Sequence, residues 1–236
     1  MTQFLLAHDL GTSGNKATLF TTDGELVKSQ VYSYGTHYFN GTWAEQNPQD
    51  WWEAICSTSK AITKNVDPKQ IAAISFSGQM MGCVCVDQHG NPIRDAIIWA
   101  DQRAVEETDA IRAKIDDDRF YQITGHRLSP NYSVEKMMWV RNHEPENYKQ
   151  VHKVLNAKDY IIYKLTGKFL TEYSDASGTH LLDLLSWDWS PEILEAAEID
   201  ENLLPELVAS TYVAGGVTKA ASEVTGLAQG TPVVMG

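Results

Sequence analysis

Residues 4–20 read FLLAHDLGTSGNKATLF. Two apolar runs flank a tip of small and hydroxyl-bearing residues, with a carboxylate, Asp9, at its edge. Apolar runs this short and this close are most simply buried as neighbouring strands joined through Leu10–Ser13. FLLAH reads as a strand buried on both faces and KATLFT as the strand beside it. Asp23–Gly24 is a strong hairpin signal, because both residues tolerate positive φ. The alternating ELVKSQVYSY then follows as a third strand.

From Pro48 the period changes. Trp52, Ile55, Ser59 and Ile62 fall at helical spacing, with Asn47 as N-cap and Pro48 in the first turn. IAAISFSG and CVCVD read as further strands, the latter followed by an HGN turn, and IIWADQR as a strand end entering a loop. AVEETDAIRAKI is an amphipathic helix. SVEKMMWVRNH and NAKDYIIYKLTG are helices with stop signals at His143, before Glu144–Pro145, and at Gly167. DASGTHLLDLLSWDWS mixes small polar residues with aromatics, as a segment supporting a site or an interface would. TPVVMG is one more strand. No repeat or linker interrupts the chain, so the pattern predicts an α/β layered domain with a mixed sheet flanked by helices.

The 236 residues carry 19 basic and 31 acidic side chains, a net charge of −12. Such a chain lacks the basic face that nucleic acid or an anionic membrane requires. An anionic ligand must be held locally, by backbone N–H groups, a few basic side chains or a metal. The three cysteines, Cys56, Cys83 and Cys85, do not form a disulfide framework. Cys83 and Cys85 share one face of a strand and are expected as small buried hydrophobes. No leader-like segment or membrane-length apolar run is present. The chain therefore reads as cytoplasmic, where the glycosylation-type sequences at Asn40 and Asn131 carry no meaning.

The tip DLGTSGNK has the parts of a phosphate site without matching the common phosphate-loop patterns. Gly11 and Gly14 allow close backbone approach to an anion, and successive N–H groups in a tight turn form an anion nest. Thr12 and Ser13 add hydroxyl donors, and Lys16 a positive charge. Asp9 would repel phosphate directly; its role would be to hold Mg²⁺. The competing account is an ordinary hairpin turn in which Asp9 caps its own loop.

DLGTSGNKATLF, ISFSGQMMG, IIWADQR, EKMMWVRNHEPE, AKDYIIYKLTG and SDASGTHLLD occur in the order found in the FGGY family of carbohydrate kinases, and the chain resembles the xylulokinase branch. The resemblance implies a ribonuclease-H-like fold of the actin/hexokinase ATPase superfamily. It implies that residues 1–236 form the N-terminal, sugar-binding domain, with a C-terminal, ATP-clasping domain absent from this chain. By the same resemblance, Asp9 assists Mg²⁺, while Gly11, Thr12, Ser13 and Lys16 approach ATP. Gln79, Met80 and Met81 would touch the sugar, and Asp101 and Arg103 would clamp its hydroxyls, with Trp99 offering a flat face. Asn131 falls where some relatives place a sugar-contacting aromatic. Xylulokinases carry Met and His after the glutamine; here Met81 replaces the histidine and cannot donate a hydrogen bond. Asp175, Ser177 and Asp183 would line the cleft or cap local turns, and Trp139 would pack the domain.

The implied reaction is ATP-dependent phosphorylation of a small sugar, with D-xylulose first and gluconate, ribulose, a tetritol or glycerol as alternatives. The family's proton-accepting aspartate lies in a Gly-Gly-x-Asp segment beginning at or just past Gly236, so this chain by itself is expected to be weak or inactive. Partners are then a small sugar and ATP, with a homodimer allowed. A non-catalytic sugar sensor or an actin-like assembly module on the same fold is the reading from another class.

Overall fold

The computed structural model describes residues 3–236. A six-stranded mixed sheet forms its centre. Strands β1 (Phe4–Leu10), β2 (Gly14–Thr21) and β3 (Leu26–Ser33) run antiparallel in sequence order. On its other side β1 pairs in parallel with Ile71–Gly78, which pairs in parallel with Pro232–Val234. Val213–Gly216 closes that edge antiparallel. Parallel neighbours need a crossover, and helix α1 (Pro48–Thr63) lies within the first, packed on β2 and β3. The helix starts where the sequence says it should. The Asn47 side chain accepts the Gln49 N–H at 2.9 Å, and Pro48 fills the first turn, where no N–H is needed.

Alternation along β1 decides what the sheet can do. Leu6, His8 and Leu10 turn into the core beneath α1, while Leu5, Ala7 and Asp9 face the other way. Leu5 is 42% exposed, so the expectation that FLLAH is buried on both faces is corrected: β1 is half-buried, with one face sealed by α1 and the other open. β2 repeats the pattern, with Asn15, Ala17 and Leu19 buried and Lys16 exposed. Within the sealed face, Asn15 Nδ2 lies 3.1 Å from His8 Nδ1 and donates to Thr58 Oγ1 at 2.8 Å, and Ser59 Oγ stands 3.4 Å from His8 Nε2. Burial drives the His8 imidazole down to about 4.

A second apolar cluster gathers Cys83, Cys85 and Ile97 with helices Val105–Arg112, Asp117–Thr124, Ser133–His143 and Pro191–Ala197. Cys83 and Cys85 are buried, as expected of small hydrophobes. Helix Ala157–Thr166 ends at Gly167, whose φ of 75° is the left-handed stop that the sequence signals. The aromatic-rich stretch near the chain's last third forms a short helix, Tyr173–Ser177, and a hairpin of Leu182–Asp183 with Asp188–Trp189. Among the described residues no helix is long and apolar enough to cross a membrane.

His8 makes stability pH-dependent. The folded chain keeps it neutral down to about pH 4, whereas the unfolded chain takes up the proton near 6.5. Between these values the unfolded state binds more protons, so this contribution is complete above pH 6.5 and is lost as pH falls through about 4, by on the order of 3 kcal/mol. Urea denaturation at pH 7 and pH 4.5 should show this loss in the wild type and a flatter response in His8→Gln. Equal pH responses in the two proteins would contradict the assignment.

Candidate functional site

The register of the sheet brings three polar side chains together on its open face. Asp9 lies opposite Lys16 of β2 and beside Ser77 of the Ile71–Gly78 strand. Residues directly across a ladder share a face, and Ser77 Oγ donates to Asp9 Oδ1 at 3.2 Å. The competing account, with Asp9 capping its own turn, is therefore not what the structure adopts. Asp9, Lys16, Thr18, Phe76, Ser77 and Gly236 line an open groove of about 390 Å³. Gly236 has φ 93°, and a Cβ there would sit 2.0 Å from the Phe76 carbonyl oxygen, so only glycine fits.

Behind this groove stands a buried charged cluster. Lys158 Nζ donates to Glu172 at 2.8 Å and to the Gly236 carbonyl at 3.2 Å, and it lies 3.6 Å from Asp175. Burial pushes the Glu172 carboxyl up, but hydrogen bonds from Lys158, Ser174 and Ser210 outweigh it and hold the group at about 2. Burial raises Asp175 to about 7 against the pull of Lys158, and burial together with Asp175 raises Asp159. Three carboxyls around one ammonium in a dry interior do not all ionise, so the cluster retains a proton.

The turn at Leu10–Ser13 is held from three sides. Trp99 Nε1 donates to Thr12 Oγ1 at 2.8 Å, Tyr34 Oη donates to the Gly11 carbonyl at 2.5 Å, and Gln46 Nε2 donates to the Thr12 carbonyl at 2.7 Å. Gln46 Oε1 accepts in turn from Gln79 Nε2 at 2.8 Å and from Trp51 Nε1 at 3.0 Å. The Gln79 N–H donates to the Leu10 carbonyl at 2.8 Å. The predicted phosphate turn, Gln79 and Trp99 are therefore tied to one another by hydrogen bonds. Gln46 and Tyr34 were not foreseen. Gly14 has a task beyond the one expected: a Cβ there would lie 2.7 Å from the Tyr32 carbonyl oxygen, so its bareness admits β3.

Next to Gln79, Met80 and Met81 are half-buried, and Met81 takes φ 59°. Asn131 Nδ2 donates to the Trp99 carbonyl at 3.0 Å and the Asp101 carbonyl at 3.4 Å. Trp99 itself is 41% exposed. Asp101 and Arg103, expected as a hydroxyl clamp, are corrected to an internal ion pair. Both side chains are sealed from solvent. Asp101 Oδ2 accepts the Ala44 N–H at 2.6 Å and the Arg103 guanidinium at 2.7 Å. The same guanidinium reaches Glu45 at 2.7 Å and stacks on Trp43 and Trp139, 4.0 and 4.7 Å from the ring centres. Asp175 belongs to the Lys158 cluster, Asp183 caps the Leu185 N–H at 2.8 Å, and Ser177 pairs with His126 at 2.9 Å.

The sequence profile of the FGGY family of carbohydrate kinases, N-terminal domain, matches residues 4–236. The chain belongs to the FGGY family. It is 37% identical over 224 residues to the xylulose kinase of Staphylococcus xylosus, covering 95% of this chain and 46% of that protein. It is 30% identical to the gluconokinase of Bacillus subtilis (strain 168) over 236 residues, 100% of this chain and 46% of the relative. The chain thus spans about half the length of the curated relatives it matches. The gluconate kinase of Lactobacillus acidophilus superposes with a TM-score of 0.93 at 27% identity, covering 100% of this chain and 48% of that one. The ligand-bound xylulose kinase of the same organism gives 0.92 at 27%, covering 99% and 48%. This FGGY domain therefore has the actin/hexokinase-like ATPase fold that the motifs implied.

The internal placement of Arg103 is testable in this FGGY chain. Arg103→Ala leaves Asp101 and Glu45 buried without their cation, and should cost about 3–5 kcal/mol in urea denaturation. Unchanged stability with weakened sugar binding would restore the clamp.

Proposed function

We propose that this chain is the sugar-binding half of a two-domain kinase that transfers the γ-phosphoryl group of ATP to a hydroxyl of a small neutral sugar, with D-xylulose as the first candidate. The observation that carries the proposal is the hydrogen-bonded network that joins these segments beside the Asp9 groove. The groove of Asp9, Lys16 and Ser77 adjoins the turn at Gly11–Ser13, and that turn is tied through Gln46 and Trp99 to the loops of Gln79 and Asn131. Phosphoryl transfer depends mainly on positioning and electrostatics, and this arrangement puts a phosphate-compatible turn next to a polyol-compatible pocket.

Each residue has a role in this reading. Thr12 and Ser13, with their N–H groups, face the phosphate tail, the Gly11 N–H being held by the Gly14 carbonyl at 3.0 Å, and Lys16 neutralises it. Asp9 would hold Mg²⁺. An exposed carboxylate at an open groove fits an ion that keeps its waters and shares its remaining sites with phosphate oxygens, and bound Mg²⁺ would offset charge on the transferring group. Gln79 Oε1 is buried without a partner in the protein, so it suits a donating sugar hydroxyl. Met80, Met81 and Trp99 suit the C–H faces. The proton-accepting aspartate would belong to the segment that follows Gly236, a residue already in the groove.

Gluconate is the second reading, favoured by the gluconokinase relative. A sugar acid needs a cation in its pocket, and Arg103 is consumed by Asp101 and Glu45, which supports the neutral sugar. A coupled assay of ADP release by the whole kinase should show turnover with D-xylulose at least about tenfold above gluconate in kcat/KM, a difference of roughly 1.4 kcal/mol in transition-state binding. Asp9→Asn should lower kcat by about 10²–10³-fold, as loss of a main electrostatic contact does. No release with any sugar in the panel would defeat the proposal, and preference for gluconate would defeat its substrate half.

A further inference from the structure

Helix Ser133–His143 carries a lysine in its first turn, the end where the helix dipole disfavours a cation. The side chain is nonetheless completely buried, with Lys136 0% exposed. An ammonium has three N–H donors, and here each meets a backbone carbonyl: Met81 at 2.6 Å, Ile98 at 2.8 Å and Asn131. None of the three acceptors lies in a helix or strand. They come from the Met80–Met81 loop, from the segment entering Trp99, and from the turn of Asn131. Asn131 also reaches the Trp99 and Asp101 carbonyls with its own amide.

Helix packing does not account for this residue. A charge taken this far from water is costly unless fully hydrogen-bonded, and a methionine would occupy similar space without that cost. Burial pushes the amine down to about 7, with Cys83, Asp101 and Glu135 supporting its charge and Arg103 opposing it. What the lysine does that an apolar side chain cannot is join three loops at one point. One of them needs holding: Met81, at φ 59°, sits in the left-handed region that non-glycine residues seldom occupy, and its carbonyl is one of the three.

We infer that Lys136 is a positioning residue of the sugar pocket, fixing the loops of Met81, Trp99 and Asn131 relative to one another and so setting affinity for the sugar rather than for the nucleotide. This rests on the proposal that the chain is the sugar-binding half of a kinase. Asp9 and Lys16 lie on the sheet and take no part in the Lys136 contacts.

Steady-state kinetics of the whole kinase test it with Lys136→Met, which keeps the bulk and loses every donor, and Lys136→Gln, which keeps two. In Lys136→Met the KM for sugar should rise by about tenfold or more while the KM for ATP stays within about twofold, and Lys136→Gln should fall between it and wild type. Urea denaturation of both variants establishes that they fold. A wild type that phosphorylates no sugar overturns the kinase reading and this inference with it. An active wild type whose folded Lys136→Met variant keeps its sugar KM, or loses sugar and ATP equally, overturns this inference alone. Failure of both variants to fold makes Lys136 a support of the fold rather than of the pocket, and overturns it as well.

Discussion

The two-residue period of β1 is the constraint on which the site depends. With Leu6, His8 and Leu10 committed beneath α1, Asp9 must face the open side, and register brings Lys16 and Ser77 to the same level. A slip of one residue would exchange the two faces, placing a carboxylate in the core. Apolar side chains resist that slip only in proportion to their area, whereas the His8–Asn15–Thr58–Ser59 contacts form in one register alone. The buried polar group that looks least economical in the core is thus the one that aims Asp9 into the groove.

Gln46 is one of the links between the Leu10–Ser13 turn and the loops beside it. It is buried, donates to the Thr12 carbonyl and accepts from Gln79, next to the Trp99–Thr12 bond and the Gln79 N–H on the Leu10 carbonyl. Gln46 ends a four-residue strand, Trp43–Gln46, whose preceding residues serve the Arg103 centre: Glu45 pairs with the guanidinium and Trp43 stacks on it. Alternate residues of a strand face opposite ways, which lets this short segment brace the Leu10–Ser13 turn on one side and the internal ion pair on the other. Arg94 extends that centre, pairing with Glu45 and, at 2.9 Å, with Glu144.

What could be read from the sequence was what local chemistry fixes. The strand–turn–strand at Asp9, the Asn47 cap, the Gly167 stop and the cysteine pair each depend on neighbours a few residues away, and each has a side-chain signature. The misreadings have the opposite character. WADQR shows that a carboxylate and a guanidinium are close, but not whether they face solvent; Glu45, Trp43 and Trp139, remote in sequence, decide that. FLLAH is too short to tell one covered face from two. Lys136 escaped notice because its three partners are backbone carbonyls, and a carbonyl leaves no trace in residue type; Gln46 and Lys158 escaped because their partners, one carbonyl each among them, are remote in sequence. Gly14 was noticed for its missing side chain, but the close approach of β3 that this permits depends on Tyr32, remote in sequence.

With Arg103 sealed among aromatics and Lys136 turned onto three carbonyls, two cations beside the loops of the proposed sugar site are spent on the protein itself. Recognition on the proposed reading then falls to uncharged groups: the buried Gln79 Oε1, the face of Trp99 and two methionines. An acceptor oxygen of that kind rewards a hydroxyl that donates and repels a carboxylate, because two acceptors brought together in a partly dry pocket leave both unpaired. Rigid loops and neutral contacts thus work in one direction. On that reading the charges hold the shape of the loops, and the shape, rather than a charge, would select a neutral polyol over an acid of similar length.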